Sequence, residues 1–345
     1  MRFFLFFLLA LVECFGTSLK SFNLYCIGNS LTWGAKPGLL EYPFSDLGYD
    51  LTVDYHIACG KSLNFILNNS ESTCVDSVSG DNWIERLSSE AIEFDAVVFQ
   101  AHLGASLGEE LSAISRMIAI ATEGGRNLST NFYILYTWPR NLPNLKADVV
   151  WSEELESNIG VGTDAGMEMK NSLAQFDFLL SEIRLLYPNL TINAIPTGLV
   201  LFGLAEQLKL GDASASMSDF YADTIHLKWA SGEFISHLVL AATLLRVEPS
   251  DLNLYSNWEN AIDIDFLTLS KEVTASVLDN TFRTDIYFPP KMEYVLDKLY
   301  FRGQLLQSDN LIDWYSVDTV ISPIHFKSFM ENHKCLFFTL KTDFN

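Results

Sequence analysis

Basic residues are scarce in this chain. It has 22 Lys and Arg against 43 Asp and Glu in 345 residues, which gives a formal net charge of -21 at pH 7. A surface of this sign repels phosphate backbones and anionic lipid headgroups, so nucleic acid is excluded as an expected partner. The acidic excess does not identify a substrate, because the same excess also keeps a protein soluble.

Long apolar segments are lacking as well. One apolar run, residues 3–12, follows Arg2 and is too short to span a bilayer. It predicts a signal peptide over residues 1–16 and therefore a secreted or periplasmic protein. A lipoprotein anchor on Cys14 is the alternative, which Glu13 disfavours because such sites carry a small residue there. Since no second long apolar run follows, we expect no stable membrane insertion after signal removal.

Cysteine is rare outside the predicted signal peptide. Only Cys26, Cys59, Cys74 and Cys335 remain there, and an exported protein meets conditions in which disulfides persist. Cys59 and Cys74 are the plausible pair, and their loop of about 15 residues would contribute roughly 3 kcal/mol of stability. Cys26 lies inside an apolar strand pattern, which predicts a buried thiol.

Short apolar runs alternate with segments of helical period. The runs that predict strands are residues 22–27, 51–57, 96–99, 132–136 and 191–195. The segments that predict helices are residues 63–67, 109–121, 167–186, 199–208 and 230–245. Such alternation is typical of a parallel sheet covered by helices, so we predict a three-layer α/β/α fold with a five-stranded parallel sheet.

Two further segments interrupt or extend this pattern. Residues 139–166 are long and polar, which predicts an inserted loop over the site or a disordered segment. After about Asp285 the pattern changes to short alternating runs, such as residues 294–302 and 335–340. We therefore predict a main domain over residues 17–284 and a small β module over residues 285–345.

A serine follows the first predicted strand directly. The sequence Gly28-Asn29-Ser30-Leu31 would place Ser30 at the carboxyl end of that strand, where open parallel sheets bind their ligands. A simple N-cap for the next helix is the alternative interpretation. Ser30 is therefore a candidate nucleophile.

A histidine with an aspartate three residues before it supplies the partners that such a serine needs. A serine hydroxyl requires a base to accept its proton, and that imidazole requires an acceptor on its other nitrogen. Asp223 and His226 have this spacing, which places both side chains on one side of a turn. His226 is the only one of six histidines preceded by Asp at that distance. The other histidines are interpreted as packing or surface residues, with the exception of His102.

These motifs resemble the blocks of the SGNH/GDSL hydrolase family of serine esterases, over residues 22–245. The first block is Gly28-Asn29-Ser30-Leu31 and the last is Asp223-Thr224-Ile225-His226. Cys59-Gly60-Lys61-Ser62 resembles the second block, whose glycine donates its N–H to the oxyanion. The resemblance implies that Ser30 is the nucleophile, that His226 and Asp223 complete the triad, and that the N–H groups of Ser30 and Gly60 bind the oxyanion.

The third block departs from the family pattern. The family has Gly-x-Asn-Asp after the third strand, whereas this chain has Gln100-Ala101-His102-Leu103-Gly104. The asparagine that donates to the oxyanion is missing. Either Gln100 or His102 supplies the third donor, or the site works with two.

The resemblance implies a secreted serine esterase. Its expected substrate is a carboxylic ester, above all an acetyl ester, on a small molecule or a polysaccharide. This chemistry needs no metal or organic cofactor. Trp33 and Trp138 lie near strand ends and would either stack on sugar or pack inside the protein.

Two alternatives belong to other classes of protein. A carbohydrate- or cell-surface-binding protein on the same fold, without turnover, is suggested by the missing asparagine and by the β module. That module resembles, through residues 306–314 and 337–340, a small C-terminal module of exported bacterial proteins, and the likeness implies no function. A lipase-type esterase is the second alternative, but no long apolar lid is evident.

Overall fold

A computed structural model describes residues 19–141, 168–170, 172–211 and 216–282, together with five short strands between residues 292 and 340. The predicted signal peptide lies outside the described residues, and so does most of the predicted loop over residues 139–166. Within the described part of the chain, no helix is long and apolar enough to cross a membrane.

Five parallel strands form the central sheet. They are β1 (Lys20–Gly28), β2 (Tyr49–Ile57), β3 (Ala96–Phe99), β4 (Asn131–Leu135) and β5 (Thr191–Ile195). Their order is β2-β1-β3-β4-β5, and every neighbouring pair is parallel. The central strands are nearly continuous apolar runs because helices cover both faces of the sheet. The predicted five-stranded parallel α/β fold is confirmed.

Ten α-helices accompany the sheet in the described residues. They are α1 (Ser30–Gly34), α2 (Glu41–Asp46), α3 (Leu63–Asn68), α4 (Trp83–Ser88), α5 (Leu107–Thr122), α6 (Leu173–Leu186), α7 (Thr197–Gly211), α8 (Phe234–Leu245), α9 (Ser256–Ala261) and α10 (Ile264–Phe282). One apolar core lies between the sheet and α1, α2, α7, α8, α9 and α10. A second core lies on the opposite face, against α3 to α6. The sheet is therefore the middle of three layers.

Alternate side chains of β1 enter the two cores. Leu24 and Cys26 belong to the first core, whereas Tyr25 and Ile27 belong to the second. Cys26 is a buried free thiol, as its strand pattern predicts. Burial raises the pKa of this thiol far above its usual range, so it stays protonated.

Two helices begin later than their predicted segments. The helix predicted over residues 167–186 begins only at Leu173, because the preceding residues pair with the loop after β3: Glu168 forms a β-bridge with Ser106. The helix predicted over residues 230–245 opens with one π-helical turn, Trp229–Glu233, before α8. The 19-residue helix α10 was not predicted at all.

The C-terminal segment contains antiparallel strands. Met292–Val295 pairs with Lys298–Phe301, and Leu305–Ser308 pairs with both Phe337–Leu340 and Tyr315–Val317. Short strands after about Asp285 agree with the sequence pattern there. The boundary between the two predicted domains stays a prediction.

Candidate active site

The turn that carries Ser30 is defined by its two preceding residues. Gly28 ends β1, and a Cβ at this position would collide with the side chains of Thr32 and Gln100. Asn29 is the N-cap of α1, since its Oδ1 accepts the backbone N–H of Leu31 at 3.0 Å. Ser30 is the first residue of that helix, and no described residue accepts its backbone N–H. The strand thus delivers the serine at the carboxyl edge of the sheet.

Ser30, His226 and Asp223 form one chain of hydrogen bonds. Nε2 of His226 lies 3.0 Å from Oγ of Ser30, and Nδ1 lies 2.7 Å from Oδ2 of Asp223. Because the carboxylate can only accept when ionised, Nδ1 carries the proton and Nε2 is left to accept the serine proton. The three residues stand in the arrangement of a nucleophile, a base and an orienting carboxylate.

Asp223 is held in its ionised form. Partial burial raises its pKa, but hydrogen bonds from the backbone N–H groups of Ile225 and His226, and from the His226 ring, lower the pKa to about 2. The side chains of Asp223 and His226 are 54% and 47% exposed. Both side chains are therefore accessible to solvent.

The loop that carries His226 is supported from the end of β4. The indole N–H of Trp138 donates to the carbonyl of Ile225 at 2.8 Å, and the backbone N–H of Asn141 donates to the carbonyl of Thr224 at 2.7 Å. Trp138 is 0% exposed and packs in the first core. Of the two alternatives for Trp138, stacking on sugar is excluded and packing inside the protein is observed, because the buried indole supports this loop.

Trp33, the other predicted sugar contact, is half-buried on α1. Its ring packs edge-on against Tyr55 with centroids 5.2 Å apart. Trp33 lies within one helical turn of Ser30 and is only partly buried, so its contact with sugar stays a prediction.

Gly60 lies in the loop after β2. Its φ of 65° is in the left-handed region that favours glycine. Its neighbour Cys59 is joined to Cys74 by a disulfide, the pair that the sequence favours. The carbonyl of Lys61 accepts from Nδ2 of Asn29 at 3.2 Å, which ties this loop to the residue before Ser30. No described residue accepts the N–H of Gly60.

Gln100 does not face the site. Its Oε1 accepts the backbone N–H of Asn29 at 3.1 Å and the hydroxyl of Thr32 at 3.3 Å, and its Nε2 donates to the carbonyl of Ala101. The side chain is fully buried. The hypothesis that this amide donates to the oxyanion is therefore wrong, because both ends of the amide are used to position the turn before Ser30.

His102 does face the turn at Ser30. Its Nδ1 lies 3.1 Å from Nδ2 of Asn29, and its backbone N–H donates to Oε2 of Glu110 at 2.8 Å. The ring is half-buried. Burial, and next the positive charge of Arg140, lower the pKa of His102, so the ring is uncharged at neutral pH.

Glu110 is a buried carboxylate on α5 that sequence analysis missed. It accepts the backbone N–H of His102 and, at 3.3 Å each, those of Leu63 and Asn64. Burial raises its pKa to about 7, against the opposing effect of these three N–H donors. The sequence feature that could have revealed its burial is its position in the apolar stripe of α5, between buried Leu107 and Ile114. Glu110 joins the loop after β3 to the start of α3, just beyond Gly60.

Fold and site together define a three-layer α/β/α protein with a Ser-His-Asp constellation at the carboxyl edge of its parallel sheet. Among the described residues, no cluster of three or more His, Cys, Asp or Glu side chains suits a metal ion. No family model and no curated protein matches the chain.

Solved structures do resemble it. A DUF4886 family protein from Bacteroides uniformis matches with a TM-score of 0.53 and 13% identity, over 75% of this chain and 95% of that one. A member of the lipolytic protein G-D-S-L family from Veillonella parvula matches with a TM-score of 0.36 and 13% identity, over 66% of this chain and 97% of that one. At this identity the first likeness supports the fold alone.

Proposed function

We propose that this protein is a serine ester hydrolase of the SGNH/GDSL type. The observation that carries the proposal is the unbroken hydrogen-bond chain from Asp223 through His226 to Ser30. His226 takes the hydroxyl proton while Oγ attacks the ester carbonyl, and Asp223 stabilises the imidazolium that forms. The imidazolium then returns the proton to the leaving alcohol, which leaves an acyl group on Ser30. Water, deprotonated by the same imidazole, releases the acid and restores the serine.

Backbone donors stabilise the negative oxygen of each tetrahedral intermediate. The N–H groups of Ser30 and Gly60 have no acceptor among the described residues, and the Asn29 side chain ties their two segments together. Preorganised N–H groups of this kind act where charge develops in the transition state. They support acyl transfer rather than simple binding.

The substrate that we propose is an acetyl ester on carbohydrate, and the protein is proposed to act after export. The exposure of the Asp223 and His226 side chains suits a bulky alcohol. The Cys59–Cys74 disulfide supports an oxidising compartment.

Ester hydrolysis by Ser30→Ala, measured beside the wild type, tests the proposal. Substrates are 4-nitrophenyl acetate, a long-chain homologue and an acetylated polysaccharide. We expect Ser30→Ala to lose at least roughly 1000-fold in kcat. The control is Ser45→Ala, an exposed serine on α2, which should keep wild-type activity. Hydrolysis retained by Ser30→Ala would refute the proposal, and a wild type that binds the polysaccharide but cleaves no ester would favour a binding protein.

A further inference from the structure

The Asn29 side chain has only one possible orientation. Its Oδ1 lies 3.0 Å from the backbone N of Leu31, which can only donate. Its Nδ2 lies 3.2 Å from the carbonyl of Lys61, which can only accept. Exchanging the amide oxygen and nitrogen would break both bonds, so the backbone fixes which atom is which.

This orientation fixes the tautomer of His102. The second contact of Nδ2 is Nδ1 of His102, at 3.1 Å. Since an amide nitrogen donates and does not accept, Nδ1 must be the unprotonated nitrogen of the ring. The neutral ring therefore carries its proton on Nε2. No described residue accepts that N–H.

The His102 ring also lies at the right place in the fold. It contacts the residue before Ser30, and the same amide binds the residue after Gly60. Glu110 fixes the His102 backbone through the 2.8 Å bond to its N–H. The ring is thus held between the two segments that present the proposed oxyanion donors.

We propose that Nε2–H of His102 is the third donor to the oxyanion, and that Asn29 is the positioning residue that keeps the proton on this nitrogen. The inference rests on the proposed function. It also explains how the site works without the asparagine of the third block, since both ends of the Gln100 amide are already bound. An asparagine in the turn before the nucleophile is suited to this task. An aspartate there would accept a hydrogen bond from Nδ1–H, which would keep the proton on Nδ1 and leave Nε2 unprotonated.

Three substitutions of His102 separate the two ring nitrogens. The amide nitrogen of Gln is as many bonds from Cβ as Nε2, whereas that of Asn matches Nδ1. We expect His102→Ala and His102→Asn to lower kcat by roughly 100- to 1000-fold with little change in KM. His102→Gln should stay within about tenfold of the wild type, because it restores a donor near the Nε2 position. Folding of each variant is checked by thermal melting.

Nitrogen NMR of the 15N-histidine-labelled protein reads the tautomer directly. The His102 signals are those missing in His102→Gln. We expect the proton on Nε2 in the wild type and on Nδ1 in Asn29→Asp. A wild-type proton on Nδ1, or near-full kcat in His102→Ala, would overturn the inference. Failure of the proposed function looks different, since the wild type itself would then cleave no ester or Ser30→Ala would remain active.

Discussion

Replacing Glu110 by Gln should remove one component of the pH dependence of stability. The folded carboxyl has a pKa of about 7, raised by burial, whereas an unfolded Glu titrates near about 4.3. Below the lower value both states are protonated, and the contribution of Glu110 to the free energy of unfolding is at its maximum. Between the two values the folded protein holds a proton that the unfolded chain has lost, so the free energy of unfolding falls as pH rises. Above about 7 the loss is complete.

The size of this component follows from the difference between the two pKa values. It amounts to roughly 3 kcal/mol between about pH 4.5 and pH 8, because each pKa unit corresponds to about 1.4 kcal/mol. Urea unfolding of wild type and Glu110→Gln across this range measures it, since His56, His102 and His237 titrate alike in both proteins and cancel in the difference.

A residue without a titratable group provides the control on the same helix. Ser112 is exposed on α5, so Ser112→Ala should differ from the wild type by the same amount at every pH. If the difference between wild type and Glu110→Gln also stayed constant from pH 4.5 to 8, the raised pKa of Glu110 would be refuted.

Three further predictions concern other parts of the molecule. Replacing Cys59 and Cys74 together by Ser should lower the free energy of unfolding by about 3 kcal/mol, and an unchanged urea midpoint would argue against the disulfide. Asp223→Asn should lower kcat by about 10,000-fold at neutral pH, because an amide cannot stabilise the imidazolium; a loss below tenfold would contradict its role. Ending the chain near Asp285 should leave hydrolysis of a small acetate ester unchanged, and a folded but inactive product would show that the β module shapes the site.

The sequence predicts the sheet well because each central strand is buried on both faces. A strand of this kind is a short continuous apolar run between turn residues, so the five runs and their parallel arrangement can be recognised locally. Ser30 could be placed for the same reason, since it follows such a run. The helix α10 was missed because much of its surface is polar and its apolar residues, such as Phe266 and Val273, only pack at its inner face.

The roles of individual polar side chains were less predictable. Gln100 and His102 lie two residues apart, yet one is buried against Asn29 and Thr32 while the other faces the site. Their partners come from about 70 residues away, and no local pattern reports such contacts. Trp138 shows the same limit, because a tryptophan after a strand can equally point into the core or toward a ligand.

Labelling with a fluorophosphonate probe tests the central claim most directly, because only an activated serine attacks phosphorus at a useful rate. We expect mass spectrometry to find the label on Ser30, Ser30→Ala to take up none, and His226→Ala to label far more slowly. A wild-type protein that stays unlabelled, or one labelled at another serine, would contradict the assignment of Ser30 as the nucleophile.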